Sequence, residues 1–124
     1  MVMKTINLEN ANISLIDEHI VLFEANPTVV IDKQAAQNFY NEIEKHVPAN
    51  YSLIIHRKHK YQLLRMEVFS VINSREKLLG LAIVAPKGTA KKMAEMEAPL
   101  CQKPFSTFSN VDDAVGWIKT LHNN

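Results

Sequence analysis

Tyr51-Ser52-Leu53-Ile54-Ile55 and Leu79-Gly80-Leu81-Ala82-Ile83-Val84-Ala85 are the two stretches that decide the fold. Both are unbroken apolar runs of strand length, and Pro86 closes the second. A strand with one wet face alternates apolar and polar residues, whereas an unbroken run suits a strand covered on both faces, as in a parallel sheet. Parallel neighbours need a crossover, usually a helix. Between the runs Leu64, Val68 and Ile72 recur every fourth residue, with Asn73-Ser74 suited to an end. The β-branched Val68, Val71 and Ile72 would also suit a strand; the need for a crossover selects the helix.

Upstream, Ile13-Ser14-Leu15-Ile16 and Ile20-Val21-Leu22-Phe23 flank Asp17-Glu18-His19, a break short enough for a hairpin. Met3 to Leu8 can add an edge strand, and Thr28-Val29-Val30-Ile31 is an extended β-branched run. Asp32 suits an N-cap. Behind it Ala35, Phe39, Ile43 and Val47 form a helical stripe that Pro48 stops. Downstream a helix begins near Thr89, with Ala90, Ala94 and Ala98 in one row and Met93 and Met96 widening it into a core face; Pro99 ends it. Lys103 to Phe108 reads as a short strand, which Pro104 either places at an edge or makes start late. Ser109 with Asp112, or Asn110 with Asp113, has capping-box spacing. The last helix buries Val111, Ala114, Val115, Ile118 and Leu121. The expected fold is one α/β domain over residues 1–124, a mixed four- to six-stranded sheet with an N-terminal β-hairpin and about four helices.

A net charge of +1 gives no overall case for nucleic acid or an anionic membrane, but its distribution is uneven. Residues 1–50 carry three Lys/Arg against seven Asp/Glu; the rest carry eleven against six. The single Cys101 excludes an internal disulfide framework and a multi-cysteine metal site. The N-terminus reaches the polar run Asn7 to Asn12 too early for a signal peptide, and no apolar run has membrane-spanning length, so a cytoplasmic protein without membrane insertion is expected.

From Leu79 to Leu121 the chain resembles the STAS-like proteins, in the anti-sigma-factor-antagonist-like branch related to CRAL-TRIO domains. The residues that carry this are Leu81-Ala82-Ile83-Val84, the helix Ala90 to Ala98, Pro104-Phe105, and Phe108-Ser109-Asn110-Val111-Asp112-Asp113-Ala114-Val115-Gly116-Trp117-Ile118. The resemblance implies a STAS-like sheet and a non-enzymatic role through a protein partner or self-association as a homodimer. Antagonists of that family carry a phosphorylatable serine after a central strand. The corresponding turn here, His56-Arg57-Lys58-His59-Lys60-Tyr61, has no hydroxyl acceptor of that kind, so the family's phosphorylation switch is not expected.

The same turn is the densest charge feature, with no acid until Glu67. Leaving the carboxyl end of a central strand, it lies where open α/β sheets place ligands. Arg57, Lys58, His59 and Lys60 therefore form half of a candidate anion site; the alternative is a turn kept polar by solvation. Lys87-Gly88-Thr89 forms the other half, after the second buried strand, where lysines oppose a helix dipole and an anion relieves the conflict. It lacks P-loop spacing, and it too reads alternatively as a solvated helix start. A small anionic or acyl ligand is the second functional expectation. Nucleic acid is not expected, because stacking aromatics are missing apart from Tyr61. The five histidines show no H-x-x-x-H pairing, and His56 and His59 have no carboxylate or thiol nearby in sequence, so no metal is expected. Cys101 has no identifiable base, no nucleophile elbow occurs, and neither catalysis nor a cofactor is expected.

Overall fold

The two apolar runs are adjacent strands pointing the same way. A computed structural model describes residues 3–27, 29–58 and 62–122, Ala90 by its backbone only. In chain order the elements are β1 (Lys4–Asn7), β2 (Ala11–Leu15), β3 (Ile20–Ala25), β4 (Val30–Ile31), α1 (Lys33–His46), β5 (Tyr51–His56), β6 (Gln62–Leu63), α2 (Arg65–Ser74), β7 (Leu78–Val84), α3 (Lys87–Glu97), a 3-10 turn (Ala98–Leu100), β8 (Phe105–Phe108) and α4 (Val111–His122). Six strands form one sheet in the order β1-β2-β3-β5-β7-β8. The first two pairings are antiparallel, and β3·β5, β5·β7 and β7·β8 are parallel. The fold is the expected α/β architecture with a mixed sheet and four helices.

The three parallel crossovers advance in one direction along the sheet, so a common hand sends their helices to one face. Packing agrees. Tyr40 and Ile43 of α1 and Val68, Phe69 and Ile72 of α2 share a core with the odd-numbered residues Val21, Phe23, Leu53 and Ile55. The even-numbered Ile20 and Ile54 pack on the other face with Ala114 and Ile118 of α4. This alternation follows from the two-residue period of a strand, and Arg57 and Lys58, just beyond β5, continue it.

Local signals hold where chemistry is local. Asp32 Oδ1 accepts from the Ala35 amide at 2.9 Å, capping α1. The Asn110–Asp113 alternative is the cap of α4, with the Asp113 amide donating to Asn110 Oδ1 at 2.8 Å. Two expectations need correction. Of the extended run at 28–31, only Val30–Ile31 is a strand, and it leaves the main sheet to pair with Gln62–Leu63; Thr28 lies outside the described residues. The apolar row of α3 is not a core face either. Met96 is 50% exposed, Ala98 is exposed and Met93 and Ala94 are half-buried. Among the described residues of α3 the one fully buried side chain is Glu97, at 0% exposure. Two guanidinium groups beneath the helix select that carboxylate over the alanines.

Candidate ligand site

Strand alternation carries Arg57 onto the face of Leu53 and Ile55, beneath α1 and α2. There its side chain, 10% exposed, meets Glu97 in a two-pronged ion pair. Nη1 donates to Oε2 at 2.6 Å and Nη2 to Oε1 at 2.7 Å, the fork geometry that a carboxylate matches best. Nη1 also faces the Met93 sulfur. Arg65, the first residue of α2, donates from Nε to the same Oε2 at 3.1 Å and is 32% exposed. One buried carboxylate thus serves two guanidiniums, and the cluster carries an excess positive charge.

Below this cluster, between the sheet and the α1/α2 pair, lies a cavity of about 30 Å³. Its walls are apolar: Phe23 and Ile55 from the sheet, Phe39 and Ile43 from α1, Val68 and Phe69 from α2, with Ile31 and Leu63 of the β4·β6 ladder across one side. Among the described residues Arg57 supplies the one charge in the lining. A second polar clasp ties the opposite ends of α1 and α2 to the sheet. Tyr51, fully buried at the start of β5, donates to Glu44 at 2.8 Å, and Arg75 pairs with Glu44 at 3.5 Å while stacking over Tyr40 at 5.8 Å. Burial, reinforced by the neighbouring Glu44 carboxylate, pushes the Tyr51 phenol far above the ordinary tyrosine range. Glu67 of α2 also accepts from the Lys33 amide at 3.0 Å, where α1 presents its positive dipole end.

The seven residues expected to form an anion site are distributed as follows. Arg57 lies inside the fold, bound to Glu97. Lys58, on the opposite face by the same alternation, pairs with Glu24 at 2.7 Å, and Glu24 also lies 3.3 Å from His56. The acid-free appearance of this turn is therefore a property of the sequence alone, because Glu24 and Glu97 meet it in space. His59 and Lys60 lie outside the described residues. Lys87, Gly88 and Thr89 form the exposed first turn of α3, at the same end of the sheet as Arg57 because β5 and β7 are parallel. Sequence reasoning missed Glu97, Arg65 as its second partner, and the cavity.

Other polar chemistry is structural in form. Ser52, fully buried on the α4 face, shares a hydrogen bond of 2.8 Å with His122 Nε2, and His122 stacks on His19 at 5.1 Å. Burial, with His19 beside it, holds the His122 imidazole below its ordinary value. His19 Nδ1 donates to the Asn50 carbonyl at 2.7 Å. Burial raises the Cys101 thiol. Among the described residues no group of three or more His, Cys, Asp or Glu side chains converges as a metal site, and no helix is long and apolar enough to cross a membrane.

Compared with known proteins, the chain matches no family model, and no curated protein or solved structure is significantly similar to it.

Proposed function

We propose that this chain is a non-catalytic, STAS-like binding module of the cytoplasm whose ligand is a small amphipathic monocarboxylic acid. The observation that carries this reading is the apolar cavity in whose lining Arg57 is the one charge among the described residues. Ligand pockets bind through apolar walls and orient their ligand with a few placed polar groups; this void has that wall chemistry at about a tenth of the usual volume. A guanidinium fork is matched to a carboxylate. A void of about 30 Å³ has room for roughly two or three water molecules. The acid is therefore short-chained, or else it separates α1 from α2 on entry. The order of strands and helices and the passage from β8 through Asn110 into α4 support the STAS-like assignment.

Thermal-shift measurements with a series of straight-chain acids, set against phosphorylated metabolites, test the proposal. A ligand that binds the folded state alone raises its stability. Short-chain acids are expected to raise the melting temperature and phosphorylated metabolites are not. No shift at saturating acid removes the reading.

A second reading is favoured by a different observation. Val30, Leu64 and Met66, the last 72% exposed, are large apolar residues on or beside the β4·β6 ladder and the first turn of α2. They supply a surface for a protein partner or a second copy of this chain in a regulatory role. Sedimentation of the wild type and of Met66→Lys tests the homodimer: a concentration-dependent dimer lost in the variant supports it, and a monomer at all concentrations excludes it.

A further inference from the structure

The geometry points to Glu97 as a resident internal ligand of Arg57, so that an entering carboxylate displaces it and undocks α3. This inference rests on the acid-binding reading above and adds to it an output. Both terminal nitrogens of Arg57 are already donated to Glu97. Among the described residues Arg57 is also the one charge in the cavity lining, which does not include Arg65. A carboxylate that pairs two-pronged with the same two terminal nitrogens of Arg57 therefore competes with Glu97 for them.

The consequence reaches α3 because of how that helix is held. Glu97 is its one fully buried described side chain, Met93 and Ala94 are half-buried, and its other described residues are exposed. Each of the other three helices buries at least two apolar side chains. The α3 sequence also works against docking by helix electrostatics: it starts with Lys87 and has no acid in its first turn, and Glu97 stands at its negative end. Exchange replaces one carboxylate on the guanidinium with another, so charge is conserved at Arg57. Burial of the ligand's alkyl chain in the cavity supplies the driving force. Once displaced from Arg57, Glu97 keeps only the single bond from the partly exposed Arg65, and the helix from Lys87 to Glu97 loses its two-pronged anchor.

Amide hydrogen exchange of the full chain with and without saturating sodium butyrate, beside butyrate titrations of the wild type and of Glu97→Gln, tests this. The expected result is that butyrate lowers protection at residues 91–98 while protection of β5 and β7 rises or holds. Glu97→Gln is expected to bind butyrate roughly tenfold or more tightly, because a competitor that fills nine-tenths of the sites lowers apparent affinity by that factor. Butyrate that binds but leaves α3 protection unchanged or increased overturns the displacement while leaving acid binding intact. Equal affinity in wild type and Glu97→Gln also overturns it. Failure of butyrate to bind either form removes the acid-binding reading and this inference together. The exchange measurement on the unsubstituted chain decides the matter even if Glu97→Gln does not fold.

Discussion

Truncating Glu97 to alanine removes the carboxylate shared by Arg57 and Arg65. Breaking a buried ion pair by deleting one partner costs about 3–5 kcal/mol, because the other charge stays buried without compensation. The two arginines are not equally stranded. Arg65 is 32% exposed and can turn to water, whereas Arg57 is 10% exposed and cannot without opening the core. The lower end of the range, about 3 kcal/mol, is therefore expected. For a domain of this length each kcal/mol shifts the melting temperature by about 4 °C, so the loss is about 12 °C. Urea denaturation followed by fluorescence of Trp117, the single tryptophan, measures it. Two further results belong to the same account. Formate should restore part of the lost stability by filling the vacated site. The double substitution Arg57→Met with Glu97→Leu should cost under about 1 kcal/mol, because a buried pair replaced by apolar groups of similar volume is often neutral. A loss below about 1 kcal/mol for Glu97→Ala alone, with no response to formate, refutes the reasoning.

Three other perturbations have defined outcomes. A Cβ at Gly80 would lie 2.5 Å from Leu121 Cδ1 and 3.4 Å from Ser52 Oγ, so Gly80→Ala should turn the half-buried Leu121 side chain aside with α4 in place and cost under about 1 kcal/mol in urea denaturation. Loss of the hydroxyl in Tyr51→Phe leaves Glu44 with its looser contact to Arg75, and a loss of about 1 kcal/mol in the same assay is expected. His122 has a folded-state pKa below that of an ordinary imidazole, about 6.5, so the unfolded chain binds more protons just below that pH. Its contribution to stability is complete above that pH and declines as pH falls toward the folded pKa. His122→Gln should flatten this part of the pH–stability curve, and an unchanged slope would contradict the assignment.

What the sequence made legible follows the range of each interaction. Asp32 and Ala35, or Asn110 and Asp113, are three residues apart and signal each other by spacing alone. The parallel pairing of β5 with β7 was legible because apolar runs without alternation have few other uses. The inward orientation of Arg57 was also within reach, since it continues the Leu53, Ile55 alternation by two residues. Its partner was not. Glu97 lies 40 positions away in a Glu95-Met96-Glu97 segment that reads as a wet helix face, and helical periodicity favoured the alanine row instead. Glu24 escaped for the same reason: its alignment with His56 and Lys58 exists only after β3 pairs with β5. Charges that look unpaired along a chain acquire partners through sheet register, which spacing does not encode.

The measurement closest to the central claim is a butyrate titration followed by methyl NMR of the wild type and of Arg57→Met. If the cavity holds the acid by its alkyl chain and Arg57 by its head, methyl signals of Ile31, Ile43, Leu63 and Val68 shift together along one saturating curve in the wild type, and the curve is lost in the variant. Shifts confined to exposed lysines, or an identical curve in both proteins, would contradict the account.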